Sequence, residues 1–120
     1  MELYTYQLSK EHCVKARGIP YLNTTIKSGD WMLAPTWALL TAYRYNGLTD
    51  EEYTTEYNRL LDERLIEYPE YFNDLFNIEV LAVGCYCRPG KFCHRYLLVE
   101  FIQKHTETIY RGEINKAYYD

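Results

Sequence analysis

Four consecutive aliphatic residues, Val80-Leu81-Ala82-Val83, followed at once by Gly84, constrain this chain more than any other stretch. No polar residue alternates within the run, so neither face of the strand it forms can meet water. It predicts a strand over residues 78–84 that is internal to a sheet covered on both faces. Beyond Gly84 the chain passes through Cys85-Tyr86-Cys87-Arg88-Pro89-Gly90-Lys91-Phe92 and then resumes at helical spacing, with Leu97, Leu98, Phe101 and Ile102 on one stripe. A strand, a Gly/Pro turn and a helix start form the usual geometry of an α/β site. The helix N-terminus carries unpaired N–H groups and the positive end of a dipole, which suit an anion.

The rest of the chain alternates between strand and helix. Glu2–Leu8 has a period of two and predicts a first strand. Ser9 is placed to cap a short helix over Lys10–Arg17, with Cys13 and Val14 inward, before Gly18 and Pro20 end it. Tyr21–Ile26 predicts a second strand, and Lys27-Ser28-Gly29-Asp30 a turn. Pro35 suits the first turn of a helix continuing through Thr36–Tyr45, with Trp37, Leu40, Ala42 and Tyr43 on its apolar side. Thr49-Asp50-Glu51-Glu52 has the form of a capping box, followed by Tyr53, Tyr57, Leu60, Leu61 and Leu65 at helical spacing. Tyr68-Pro69 breaks this helix, and Glu70–Phe76 adds a further turn or two. Thr108–Glu113 predicts a last, edge strand, and Asn115–Asp120 a loose polar end. Strands interspersed with helices imply an α/β sandwich with a small sheet that is at least partly parallel.

Its 120 residues make one domain, 1–120, with no linker or repeat inside it. The formal charge of −4 and the lack of a basic stripe argue against binding along a nucleic acid backbone. No apolar run reaches a membrane-spanning length, and the first residues lack the pattern of a secretion signal. Four cysteines in that setting point to the cytoplasm and to free thiols.

The stretch CYCRPGKFCHRYLL, with its preceding strand, resembles the signature of the "domain of unknown function 488" family: an apolar strand, a cysteine-containing turn, and a Cys-His-Arg triplet opening a helix, here Cys93-His94-Arg95. Upstream, NTTIKSGDWMLAPTW is similar to a segment of small phage and bacterial relatives, in which a Lys-Ser-Gly turn, here Lys27-Ser28-Gly29, precedes an Ala-Pro helix start, here Ala34-Pro35. The two blocks and the helices between them cover most of residues 19–105. The resemblance implies a Rossmann-like sandwich, and its phage relatives suggest sequestration of a host signalling nucleotide as one form of function.

Three chemistries compete for the turn. Cys85, Cys87, Cys93 and His94 are zinc-ligand types, but C-x-C followed by adjacent Cys-His lacks the two clasped pairs of a structural site, so neither a metal nor another cofactor is expected. A cysteine near Arg88, Lys91, Arg95 and a helix start suits a thiolate nucleophile, with Cys87, Cys93 and the base His94 as candidates. The spacing to a basic residue does not match a Cys-x₅-Arg loop: Lys91 lies at that distance from Cys85, and Cys93 from Cys87. The plainer alternatives are Cys93 as a small buried hydrophobe and His94 in a structural hydrogen bond. The reading carried furthest is anion binding. Lys27, Ser28 and Gly29 from one turn and Tyr86, Arg88, Gly90, Lys91, His94 and Arg95 from the other would share one crevice at the sheet edge. A nucleotide-like or other phosphorylated small molecule fits such a crevice, with Tyr86 or Trp31 stacking on its base.

Overall fold

The computed structural model describes residues 1–118. Its elements, in chain order, are β1 (Glu2–Gln7), α1 (Glu11–Ala16), β2 (Tyr21–Asn23), α2 (Trp37–Tyr45), α3 (Asp50–Glu67), α4 (Pro69–Phe76), β3 (Val80–Cys85), α5 (His94–His105) and β4 (Ile109–Ile114). The strands form one sheet in the order β2-β3-β1-β4, and every neighbouring pair is parallel. The sequence implied a sheet that is at least partly parallel; the sheet is parallel throughout, because each crossover carries helix.

β3 lies inside the sheet, as its apolar run requires, and Leu81–Cys85 are all buried. Its alternate side chains serve two cores. Leu81 and Val83 pack with Leu3 and the helices α2–α5, while Ala82 packs with Tyr6, Ile114 and the α1 residues Cys13 and Val14. Each fully buried Leu or Val contributes about 1.5–3 kcal/mol. Gly84 sits under the Tyr6 ring so closely that a Cβ there would lie 2.3 Å from a ring carbon.

α3 begins with a complete capping box: Glu52 N donates to Thr49 Oγ1 at 3.1 Å and Thr49 N to Glu52 Oε1 at 3.0 Å. Its buried stripe is Tyr53, Tyr57, Leu61 and Arg64. Two of these polar tips hold the segment leading into α2. The Tyr57 hydroxyl donates to Leu33 O at 2.6 Å, and Arg64 Nη1 donates to Met32 O at 2.9 Å and Ala34 O at 2.6 Å. The best-formed helix thereby fixes one wall of the cavity described below.

Several boundaries differ from the sequence reading. Ser9 falls within a single 3₁₀ turn, Leu8–Lys10, and does not cap α1, whose first position follows Lys10. β2 stops at Asn23, whose side-chain oxygen accepts from Thr25 N and Thr25 Oγ1 and so turns the chain. Thr36, not Pro35, precedes the first residue of α2 and caps it through Leu39 N, which turns Leu39 inward and leaves Trp37 exposed. The loose end expected at Asn115–Asp120 is exposed over 115–118 but tied down, since Arg17 donates to Lys116 O and Tyr118 O. Its last two positions, 119–120, lie outside the described residues. No helix among the described residues is long and apolar enough to cross a membrane.

Candidate functional site

The carboxyl ends of β1 and β3 are neighbours, with Gln7 opposite Cys85. The chain leaves β1 into α1 on one face and leaves β3 into α5 on the other. Such a point of divergence is where open α/β sheets hold ligands. Beside it, on the β2 side, opens a cavity of about 290 Å³. Thr25, Ile26 and Lys27 line it from the turn after β2. Pro35, Trp37, Leu40 and Arg44 line it from the start and one face of α2. Cys85, Tyr86, Cys87 and His94 line it from the β3–α5 connection.

Cys85, the last residue of β3, is buried, and Arg95 Nη1 donates to its sulfur at 3.0 Å. The thiols of Cys87 and Cys93 also donate to this sulfur. These two bonds, together with the positive charge of Arg95, hold the Cys85 thiol far below its usual range despite burial. Cys87 and Cys93 are pushed the other way, because Cys85 engages their protons. All four cysteines are unbridged.

The counter-ion is fully buried. Arg95 Nη1 also donates to Cys87 O at 2.7 Å, Nη2 to Glu113 Oε2 at 2.9 Å and to the Tyr96 hydroxyl at 3.0 Å, and Nε to Glu113 Oε1 at 3.3 Å. Burial opposes the guanidinium charge, but Cys85 and Glu113 outweigh it and drive its pKa up. Glu113 is itself held by Thr5 Oγ1 at 2.5 Å and by the Tyr96 hydroxyl at 3.2 Å.

His94 is the first residue of α5 and is buried beneath the cavity. Its Nε2 lies 2.9 Å from both the carbonyl oxygen and the hydroxyl of Thr24. The Thr24 hydroxyl donates its own proton to Gly84 O at 2.9 Å. Both neighbours of Nε2 are then acceptors, so Nε2 carries the ring proton and Nδ1 carries a lone pair. That lone pair sits 3.8 Å from Cys93 Sγ. Burial lowers the His94 pKa and keeps the ring neutral.

The residues singled out from sequence divide into three groups. Lys27, Tyr86, Cys87 and His94 meet at the cavity, so the two turns do share a crevice. Ser28 and Gly29 build the turn instead: the Ser28 hydroxyl bonds Asn23 Nδ2 and Thr25 Oγ1, and a Cβ on Gly29 would lie 2.3 Å from Asn23 O. Gly90, Lys91 and Cys93 border a separate, shallower depression with Asp50 and Tyr96, and Arg88 is exposed beside the Arg88–Lys91 turn. Arg95 is corrected as a ligand-binding residue. All five of its N–H groups already have acceptors, leaving none for a bound anion. Trp31 packs edge-on against Tyr68, with Arg64 over its ring, away from the cavity; the tryptophan at the cavity is Trp37. Sequence reasoning missed Arg44 and the central place of Cys85. The local signals for Cys85 were its place among the zinc-ligand types of the turn and its position at the end of the apolar run.

A parallel α/β sandwich with a sulfur-rich β3–α5 turn beside a cation-lined cavity defines the class of this protein. A family profile described as the active DUF488-N3 subclade, DUF488-N3a, matches residues 13–106, and the chain belongs to that family. The matched stretch contains the cavity and the sulfurs but neither Thr5 nor Glu113. No curated protein and no solved structure matches the chain.

Proposed function

We propose that the chain binds one anionic, ring-bearing small molecule of nucleotide type in the cavity between Lys27 and Cys87. The observation that carries this is the lining itself. Lys27 and Arg44 line the same cavity as Trp37 and Tyr86, residues that are 53% and 60% exposed. Cations beside free aromatic faces suit a phosphate joined to a base. Charge-assisted bonds contribute roughly 1.5–3 kcal/mol each, and base stacking roughly 1–3 kcal/mol. The volume of about 290 Å³ lies at the small end of ligand pockets and suits a mononucleotide better than a dinucleotide.

The test is calorimetric titration of mononucleotides and sugar phosphates. Lys27→Ala and Arg44→Ala should each weaken the bound species about tenfold or more, and Arg88→Ala should leave it unchanged. Failure of every member to bind, or equal affinity in all three variants, overturns the reading. Recovery of the ligand intact after denaturation marks capture, as in sequestration of a signalling nucleotide.

A second reading, a thiol-dependent enzyme acting on the same ligand, is favoured by one contact: Arg95 at 3.0 Å from the Cys85 sulfur, which lines the cavity. In it Cys85 is the nucleophile, while Cys87 and Cys93, the candidates from sequence, donate to it. Conversion of the ligand by wild type and not by Cys85→Ser would establish it.

A further inference from the structure

Cys85, Cys93 and His94 bring their ligand atoms within 4.8 Å of one another, and all three residues are buried. The sequence spacing argued against such convergence. It arises because α5 starts directly over the end of β3, which returns residues 93–94 to residue 85. Around a tetrahedral zinc, sulfur and nitrogen ligands at about 2.3 and 2.0–2.1 Å from the ion lie roughly 3.5–3.8 Å from one another. The Cys93 Sγ to His94 Nδ1 distance of 3.8 Å already matches. The Thr24 carbonyl and hydroxyl fix the proton on His94 Nε2, so the nitrogen facing the sulfurs is the one able to ligate. A ring N–H held by a backbone carbonyl is the usual support behind a ligating histidine. The Arg95–Glu113 pair balances its own charge, so two thiolates and a neutral imidazole would neutralise a divalent ion.

We propose that Cys85, Cys93 and His94 bind one borderline-soft divalent ion of the zinc class, with its fourth position towards the cavity, next to Cys87. The ion displaces the proton of Cys93 to solvent, and the two sulfurs and Nδ1 donate electron pairs to it. This site does not depend on what the cavity binds. Loading it would occupy Cys85 and so exclude a free thiolate nucleophile there.

The experiment uses the full chain, purified under reductant, stripped with a chelator and titrated with Co²⁺ and then Zn²⁺. One equivalent of Co²⁺ should give sulfur-to-metal charge-transfer absorption and the strong visible bands of a tetrahedral ion, both abolished by Zn²⁺. In moderate urea, where transient opening exposes these buried thiols, Zn²⁺ should slow alkylation of Cys85 and Cys93 more than that of the also buried Cys13, as mapped by mass spectrometry. Cys93→Ser should lower Zn²⁺ affinity at least about 100-fold, and Cys13→Ser should not. Absence of tetrahedral bands, an alkylation pattern indifferent to Zn²⁺, or wild-type affinity in Cys93→Ser overturns the proposal. Should Cys93→Ser fail to fold, the cobalt spectrum of the wild type decides alone.

Discussion

Replacing Arg95 with alanine removes five N–H donors from a fully buried position. The Glu113 side chain, 16% exposed, keeps only Thr5 and Tyr96, while the anionic Cys85 sulfur loses its counter-charge and Cys87 O a donor. Removing one partner of a buried ion pair costs about 3–5 kcal/mol, because the other charge is left without compensation. A chain of this size has about 5–15 kcal/mol of stability in all. The expected loss therefore runs from about a fifth of the total to nearly all of it, equivalent to a fall in Tm on the order of 10–20 °C. Urea unfolding followed by far-ultraviolet circular dichroism measures it. The double variant Arg95→Ala/Glu113→Ala should be less destabilised than the two single losses added together, by more than about 1 kcal/mol. A ligand-facing arginine predicts the opposite, a stable variant with weakened binding. A loss below about 1 kcal/mol for Arg95→Ala would refute the reasoning and return Arg95 to the cavity.

Alkaline pH should unfold the protein. Burial raises the phenol pKa values of Tyr6, Tyr53 and Tyr57, so their contribution is fully present below the unfolded value of about 10 and is lost as pH rises beyond it. Each should remove about 1.4 kcal/mol of stability per pH unit above about pH 10, and a denaturation midpoint that stays flat from about half a unit below to about one unit above that value would contradict this. Gly84→Ala forces a methyl group into the Tyr6 ring and should cost about 1–3 kcal/mol, read by the same urea unfolding; an unchanged midpoint would mean that the ring moves freely aside. In metal-free protein, ultraviolet thiolate absorption should persist at about pH 6, well below the ordinary thiol value near 8.5, and Arg95→Lys should weaken it at that pH. Absorption that appears only near about pH 8.5 would show that no thiolate is held there.

What could be read in the sequence was what local chemistry decides. The β3 run admits only a doubly covered strand, and the Thr49–Glu52 box and its Tyr53–Tyr57–Leu61 stripe depend on residues within one helix. The cavity was legible in outline, since Lys27 and Cys85–Cys87 follow neighbouring parallel strands. The rest hinged on phase or on distance. The Thr36 cap sets the rotation of α2, and that rotation brings Trp37 and Arg44 to the cavity and Leu39 to the core. Arg95 looked like a cation awaiting an anion at a helix start because its carboxylate partner lies 18 residues on, in β4. The Ser28 hydroxyl and the lack of a side chain at Gly29 suggested a phosphate turn, whereas both serve the Asn23 bend.

The position of β1 has a consequence for the order in which the protein is made. β1 leaves the ribosome before both of its neighbours, residues 80–85 on one side and 109–114 on the other. At about 5–20 residues per second it waits roughly 5–20 s for its second neighbour. Glu113 arrives with that neighbour, so a nascent chain already holds its three clustered cysteines while Arg95 still has no carboxylate to hold it. The sulfur site is completed by vectorial synthesis from its far end. A chain halted before Ile109 would carry both an open sheet edge at β1 and an unfinished site, which links quality control of the fold to quality control of the chemistry.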